Sequence, residues 1–330
     1  TLWGRPGSQL DFCNPKTTEF WKETVKRLHD TGIDGWWTDL NEPDIDAPDN
    51  FYFNNTACTF GHNVQPVKMA MAIDGAFKEY FSDERHFIFS RSGSAGMGKY
   101  AAIWSGDLTS SFQHLMNQIP VGVNAGYSGL PVWGTDMGGF NGHPTPEMMV
   151  RWFQFGLFNP VFRAHGNHDP REPWAYGAEA ERIMKNTIEL RYRLLPHLYT
   201  VMRSMHDSGL PPMRALFLNF PADEKSWSVN TEYMFGDSIL TAPVVREGEK
   251  EKSVYFPPGG WCDFNTDKKY IGPSSVTVKA PLDTLPFFIR EGSIIAMGPV
   301  IRNTGAVKRD EIEFHVYPSV KKTSYKLYED

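Results

Sequence analysis

Gly32-Ile33-Asp34-Gly35-Trp36-Trp37-Thr38-Asp39-Leu40-Asn41-Glu42-Pro43-Asp44 is the stretch whose reading decides the fold. It begins as a short apolar run bounded by glycine, the pattern of a buried strand. It then breaks into a polar, proline-containing loop carrying Asp39, Glu42 and Asp44. A carboxylate where a buried strand ends after a helix is where barrel enzymes keep their chemistry. Taken alone, Asp39 would more often just end the strand or cap the next helix. Repetition of the pattern downstream turns the reading towards a site.

Working outward, Asn14-Pro15 predicts a helix start, with Asn at the N-cap and Pro in the first turn. Trp21, Val25 and Leu28 give that helix one buried face, and Gly32 closes it. On the other side a long loop is expected over 41–62, then a helix over 64–81 with Met69, Ile73 and Phe77 on one face. Four more apolar runs end in polar residues, at 86–91, 101–107, 130–136 and 160–165, and most are separated by helical segments such as 110–119 and 146–158. Alternating β and α of this length means parallel strands joined by crossover helices. No glycine-rich phosphate loop follows any strand, which weakens a dinucleotide-binding reading. A closed (β/α)8 TIM barrel is favoured over an open sheet. Only about its last five strands are present, so upstream polypeptide is expected to complete it.

A long helix over 179–208, with Pro196 kinking it, is expected after the last parallel strand. The texture then changes to short β-type runs at 215–220, 238–245, 253–256, 275–279 and 287–289, punctuated by turns, as in an antiparallel β-sandwich. Runs at 311–317 and 324–328 read as strands of a further unit. The expected domains are residues 1–215 (barrel), 216–302 (proximal β-sandwich) and 303–330 (start of a distal β domain).

Composition sets bounds on function. The chain has 330 residues, 41% of them hydrophobic, and a formal charge of −6, so neither length nor core is limiting and no nucleic-acid surface is expected. No apolar run reaches the roughly 18 residues of a spanning helix, and no membrane partner is expected. Cys13, Cys58 and Cys262 are too scattered for a disulfide framework or a zinc cluster.

Three strand ends supply the carboxylates Asp39, Asp107 and Asp136, and two more supply Arg91 and His165. On a barrel such ends share one face. Retaining glycoside hydrolysis needs one carboxylate as nucleophile and another as proton donor, roughly 5–5.5 Å apart. Trp37, Trp104 and Trp133 would wall such a pocket.

At this point the motifs resemble a known family. Trp37-Thr38-Asp39-Leu40-Asn41-Glu42 is similar to the nucleophile motif of glycoside hydrolase family 31, which holds α-glucosidases and α-xylosidases. Ser90-Arg91-Ser92 with Trp104-Ser105-Gly106-Asp107 resembles its acid/base region. Gly134-Thr135-Asp136 with Gly138-Gly139-Phe140, then Phe162-Arg163-Ala164-His165-Gly166, resemble two later strands, and the likeness continues through 191–196 and 235–237. The resemblance implies a retaining α-glycosidase with Asp39 as nucleophile and Asp107 as general acid/base. It implies that Arg91, Trp104, Asp136, His165 and Trp37 bind the sugar, with no metal and no cofactor. The short interval between Asp39 and Asp107 leans towards α-xylosidases, whereas Asp39-Leu40-Asn41-Glu42 leans towards α-glucosidases.

The implied substrate is an oligosaccharide ending in α-linked glucose, with α-xylosidase and transglycosylase activity as alternatives. A metal-dependent hydrolase built on His165, His168 and Asp136, or a non-catalytic sugar binder, are the readings outside that class. Glu42 and Asp44 are read as loop anchors.

Overall fold

Asparagine 14 opens the first helix as expected: its side chain accepts the Lys16 N–H at 3.0 Å, and α1 runs Pro15–His29. Lys26, Arg27 and His29 in the last turn complement the helix dipole. The computed structural model describes residues 8–43, 46–306 and 311–330. They divide into two units, Thr1–Gly106 with Ser128–Trp133, and Asp107–Tyr127 with Gly134–Asp330.

In the first unit, α1 leads to β1 (Gly35–Thr38), which alternates in burial instead of being covered on both faces. Trp36 points to the helix layer, edge-on to Phe77, while Trp37 and Asp39 lie on the opposite face by the two-residue period of a strand. Of the face expected on α1, Val25 is buried and Leu28 remains exposed.

The expected loop over 41–62 is instead structured. β2 (Phe51–Tyr52) and β3 (Thr56–Ala57) form a small hairpin, and α2 begins at Cys58 and runs to Tyr80. Asp46 is the cause: its carboxylate accepts Tyr52 Oη at 2.6 Å, Asn50 Nδ2 at 2.6 Å and the Cys58 thiol at 3.1 Å. β4 (Phe87–Ser90) and β5 (Ala102–Trp104) complete the unit's parallel set, pairing β1 with β4 and β4 with β5. Ile103 N–H donates to Val132 O at 2.9 Å, so the segment entering the next strand lies along β5.

In the second unit, α3 (Phe112–Tyr127) passes through Pro120 instead of stopping before it. The buried stripe Leu115, Ile119 and Val123 continues across the proline, and its burial outweighs one lost hydrogen bond. β6 (Trp133–Met137) and β7 (Val161–Ala164) pair in parallel around α4 (Pro146–Gly156), which is buried from Met148 to Gly156. Five parallel strands with intervening helices are therefore present, as the sequence predicts. α5 (Ala178–Ser208) is a single helix through Pro196 and ends at Gly209, whose φ of +77° suits the left-handed cap.

Antiparallel sheet follows, formed by β8 (Met213–Arg214), β9 (Tyr233–Phe235), β10 (Ile239–Thr241), β11 (Glu251–Asp263), β12 (Lys269–Lys279) and β13 (Phe287–Arg290) in the order β12-β11-β13-β10-β9-β8. Residues 215–220 are not a strand: a short helix α6 (Leu216–Asn219) drives Leu216 and Phe220 into the core with Trp261, Phe256 and Phe288. β14 (Ile294–Met297) pairs with β15 (Glu313–Val316), and 324–328 makes no strand.

Two arginines, Arg151 buried and Arg191 half-buried, tie this unit together. Arg151 on α4 donates to the carbonyls of Glu249, Ala280, Pro281 and Thr284 at 2.9–3.2 Å, joining the helix to the sheet's loops. Arg191 on α5 donates to Gly156, Leu157, Asn159 and Pro160 carbonyls at 2.7–3.2 Å, closing the end of α4. Burial lowers its pKa to about 10.

Candidate active site

The first unit carries the carboxylate cluster at the ends of β1 and β4. Asp39 follows β1 directly, and Leu40 then takes φ of +54°, a conformation a leucine rarely adopts. Asn41 holds this turn in place. It is buried, its Nδ2 donates to Ser90 Oγ at 2.8 Å, and its Oδ1 accepts the Ser92 N–H at 3.2 Å. The loop after β1 is thereby stitched to the end of β4.

Arg91 stands at that stitched end. Its Nη1 lies 3.2 Å from Asp39 Oδ1, while Nε and Nη2 donate to the two oxygens of Glu42 at 2.6 and 2.8 Å. Burial pushes the Glu42 carboxyl up, but the Arg91 hydrogen bonds outweigh it and hold Glu42 below the ordinary glutamate value. Glu42 is thus the anchor expected of it, and Asp44 lies outside the described residues. Trp37, 51% exposed, stacks on Trp104 with centroids 5.6 Å apart and planes at 20°.

The second unit carries Asp107, Asp136 and His165. Asp107 is exposed on the loop before α3. Asp136 differs from expectation: β6 extends to Met137, so Asp136 is not at the strand end but within the strand, 0% exposed and ion-paired with Arg163 of β7. Burial pushes its carboxyl up to about 6 against the pull of Arg163, with the Asp107 charge adding to the rise. His165 stacks on Phe140 with centroids 5.2 Å apart.

His165, His168 and Asp136 do not assemble as a ligand set. His168 instead stacks on His143, and among the described residues the His/Asp/Glu group whose ligand atoms converge is His29, Asp34 and Glu84. Sequence reading gives no role of their own to Asn41 and Arg163, which lie inside the quoted motifs, or to Asn141 and Arg171. Asn141 Nδ2 donates to the Asp107 carbonyl at 3.2 Å, and Arg171 is buried among loop carbonyls. The doubled glycine before Phe140 was the one signal, since paired glycines mark close backbone approach.

The comparisons follow the same line. Residues 1–201 match the model of the glycosyl hydrolases family 31 TIM-barrel domain, and residues 209–295 match that of the family 31 C-terminal domain. An alpha-glucosidase 2 of Bacillus thermoamyloliquefaciens is 35% identical over the whole chain, which spans 43% of that relative. An alpha-xylosidase of Saccharolobus solfataricus is also 35% identical, over 94% of the chain and 44% of its own length. A GH31 dextranase of Flavobacterium johnsoniae, complexed with glucose, superposes with a TM-score of 0.93 at 35% identity, over 99% of this chain and 43% of that one. The chain thus spans less than half the length of these relatives. On these matches, the chain belongs to glycosyl hydrolase family 31.

Proposed function

We propose that the protein carrying this chain is a retaining α-glycosidase that releases terminal α-linked glucose from oligosaccharides. The observation that carries the reading is Asp39, at the end of β1 and held at 3.2 Å by an arginine whose Nε and Nη2 are fixed on Glu42. A nucleophile must be held in one orientation before attack, and this guanidinium supplies the hold.

In this reading Asp39 attacks the anomeric carbon as the glycosidic bond breaks, and Asp107 gives its proton to the departing oxygen. An ester between Asp39 and the sugar results. Asp107 then takes a proton from water, the water attacks the same carbon, and Asp39 leaves with configuration retained. Arg91, Trp37, Trp104, Asp136 and His165 hold the sugar, with Asp136 ion-paired to Arg163. Within the same reading, residues 1–215 belong to the barrel, 216–302 to the proximal β domain, and 303–330 open a distal one.

The relatives' names divide between glucosidase and xylosidase at equal identity, so α-xylosidase is the second reading. Aryl α-glucoside, α-xyloside and α-galactoside substrates, offered to the full-length protein, separate them. Glucoside turnover at least tenfold above the others is expected; dominant xyloside turnover selects the second reading, and no turnover of any rejects both.

A further inference from the structure

Arg171 is 4% exposed, with no acidic side chain among its hydrogen-bond acceptors, and it spends its donors on a single loop and its neighbour. Nε and Nη2 donate to the Gly139 carbonyl at 3.0 and 2.9 Å, Nη2 also to Gly142 at 3.1 Å and Phe140 at 3.4 Å, and Nη1 to Asp169 at 2.6 Å. A charge donating to several carbonyls in a buried setting holds them by hydrogen bonds stronger than neutral ones.

The sequence leaves room for this guanidinium. A Cβ on Gly166 would stand 2.6 Å from Arg171 Cζ, and one on Gly138, at φ of +88°, would lie 3.2 Å from its Cδ. Gly139 serves the other side of the loop: a Cβ there would stand 2.7 Å from the Ser110 nitrogen and 2.9 Å from the Thr109 carbonyl carbon. The caged loop therefore presses directly on the segment that follows Asp107.

Asn141 makes that contact a clamp. Its N–H donates to Leu108 O at 2.8 Å, its carbonyl accepts the Ser110 N–H at 2.7 Å, and its Nδ2 donates to the Asp107 carbonyl at 3.2 Å. Its Oδ1 in turn accepts Asn167 Nδ2 at 2.8 Å, two residues beyond His165. Phe140, between the caged carbonyls, carries the ring that stacks on His165.

We propose that Arg171 is the positioning residue for the acid/base: by caging residues 139–142 it fixes, through Asn141, the backbone of Asp107, and through Phe140, the ring of His165. The inference rests on the roles given above to Asp107 and His165. It does not make Arg171 a sugar contact, since its donors face carbonyls.

The test is kinetic, in the full-length protein, with Arg171→Lys, Asn141→Ala and, as control, Arg151→Lys. Lysine keeps the charge but loses the planar fork that reaches several carbonyls together. Each is assayed on an activated aryl glycoside and on a disaccharide with a poor leaving group, with melting temperatures alongside. A misplaced proton donor costs little when the leaving group departs unaided, and on the order of 100-fold when it does not. Arg171→Lys and Asn141→Ala are expected to lower kcat/KM on the disaccharide at least tenfold more than on the aryl glycoside. Arg151→Lys, which disturbs an equally buried cage elsewhere, is expected to lower the melting temperature with equal effects on both substrates. If Arg171→Lys does not fold, Asn141→Ala leaves the cage intact and decides alone. Equal losses on the two substrates overturn the positioning role, while an inactive wild-type protein overturns the glycosidase reading and this inference with it.

Discussion

Arg91 and Glu42 form a two-point pair, Nε to Oε1 at 2.6 Å and Nη2 to Oε2 at 2.8 Å, which leaves Nη1 aimed at Asp39. Glu42 therefore sets the direction of the arginine, and the arginine sets the direction of Asp39. Glu42→Gln keeps the shape but breaks the matched fork. The expected result is a fall in kcat of roughly tenfold with KM within about twofold. The melting temperature should move little, since the pair is partly exposed. Unchanged kcat would show that Arg91 holds its place without Glu42.

Trp37 stacks on Trp104 and keeps half its surface open. Trp37→Ala is expected to raise KM roughly fivefold, from loss of about 1 kcal/mol of ring contact to the sugar. Trp37→Phe should recover part of that loss. Steady-state kinetics on the aryl glucoside check both.

Asp136 sits beside Arg163 and within charge range of Asp107, and its own carboxyl is pushed up to about 6 by burial. Asp136→Asn removes a negative charge that helps Asp107 keep its proton and leaves the Arg163 charge unbalanced. The basic limb of the kcat/KM profile is expected to move to lower pH. A profile that stays in place would mean that the two carboxyls do not communicate.

Those three sites show what the sequence made legible. Strand-end carboxylates are local features: Asp39 and Asp107 can be found because a short apolar run stops next to them. Asp136 answers to the same rule to within one residue of the end of β6, but its ion pair with Arg163 on the neighbouring strand is not a local feature. Asn41 and Arg171 act through partners 49 and 32 residues away, and no periodicity records such pairings. The hairpin over 51–57 was hidden for a related reason: it is organised by the carboxylate of Asp46 and not by apolar alternation. Helix α3 outran its expected end because buried side chains on both sides of Pro120 override a single missing donor.

His197 on α5 is buried, its ring stacked on Tyr325 and its Nδ1 3.2 Å from the Tyr325 hydroxyl. Burial lowers its pKa from the ordinary 6.5 to about 4. A group depressed in this way contributes stability that is whole above pH 6.5 and is lost as pH falls towards 4, about 3 kcal/mol in all. Thermal unfolding of the wild type should therefore weaken steadily across that window. His197→Asn, which has no proton to gain, should be less stable at pH 7.5 and approach the wild type by pH 4.5. Parallel curves for the two proteins would contradict the assignment.

The central claim is that Asp39 forms the bond to the sugar, and trapping that bond tests it most directly. Full-length protein is treated with a fluorinated α-glucosyl fluoride, digested, and its peptides mapped by mass spectrometry. The account predicts one glycosylated peptide, with the sugar on Asp39, and no label in Asp39→Ala. A label on Asp107 or Glu42, or turnover undiminished in Asp39→Ala, would contradict it.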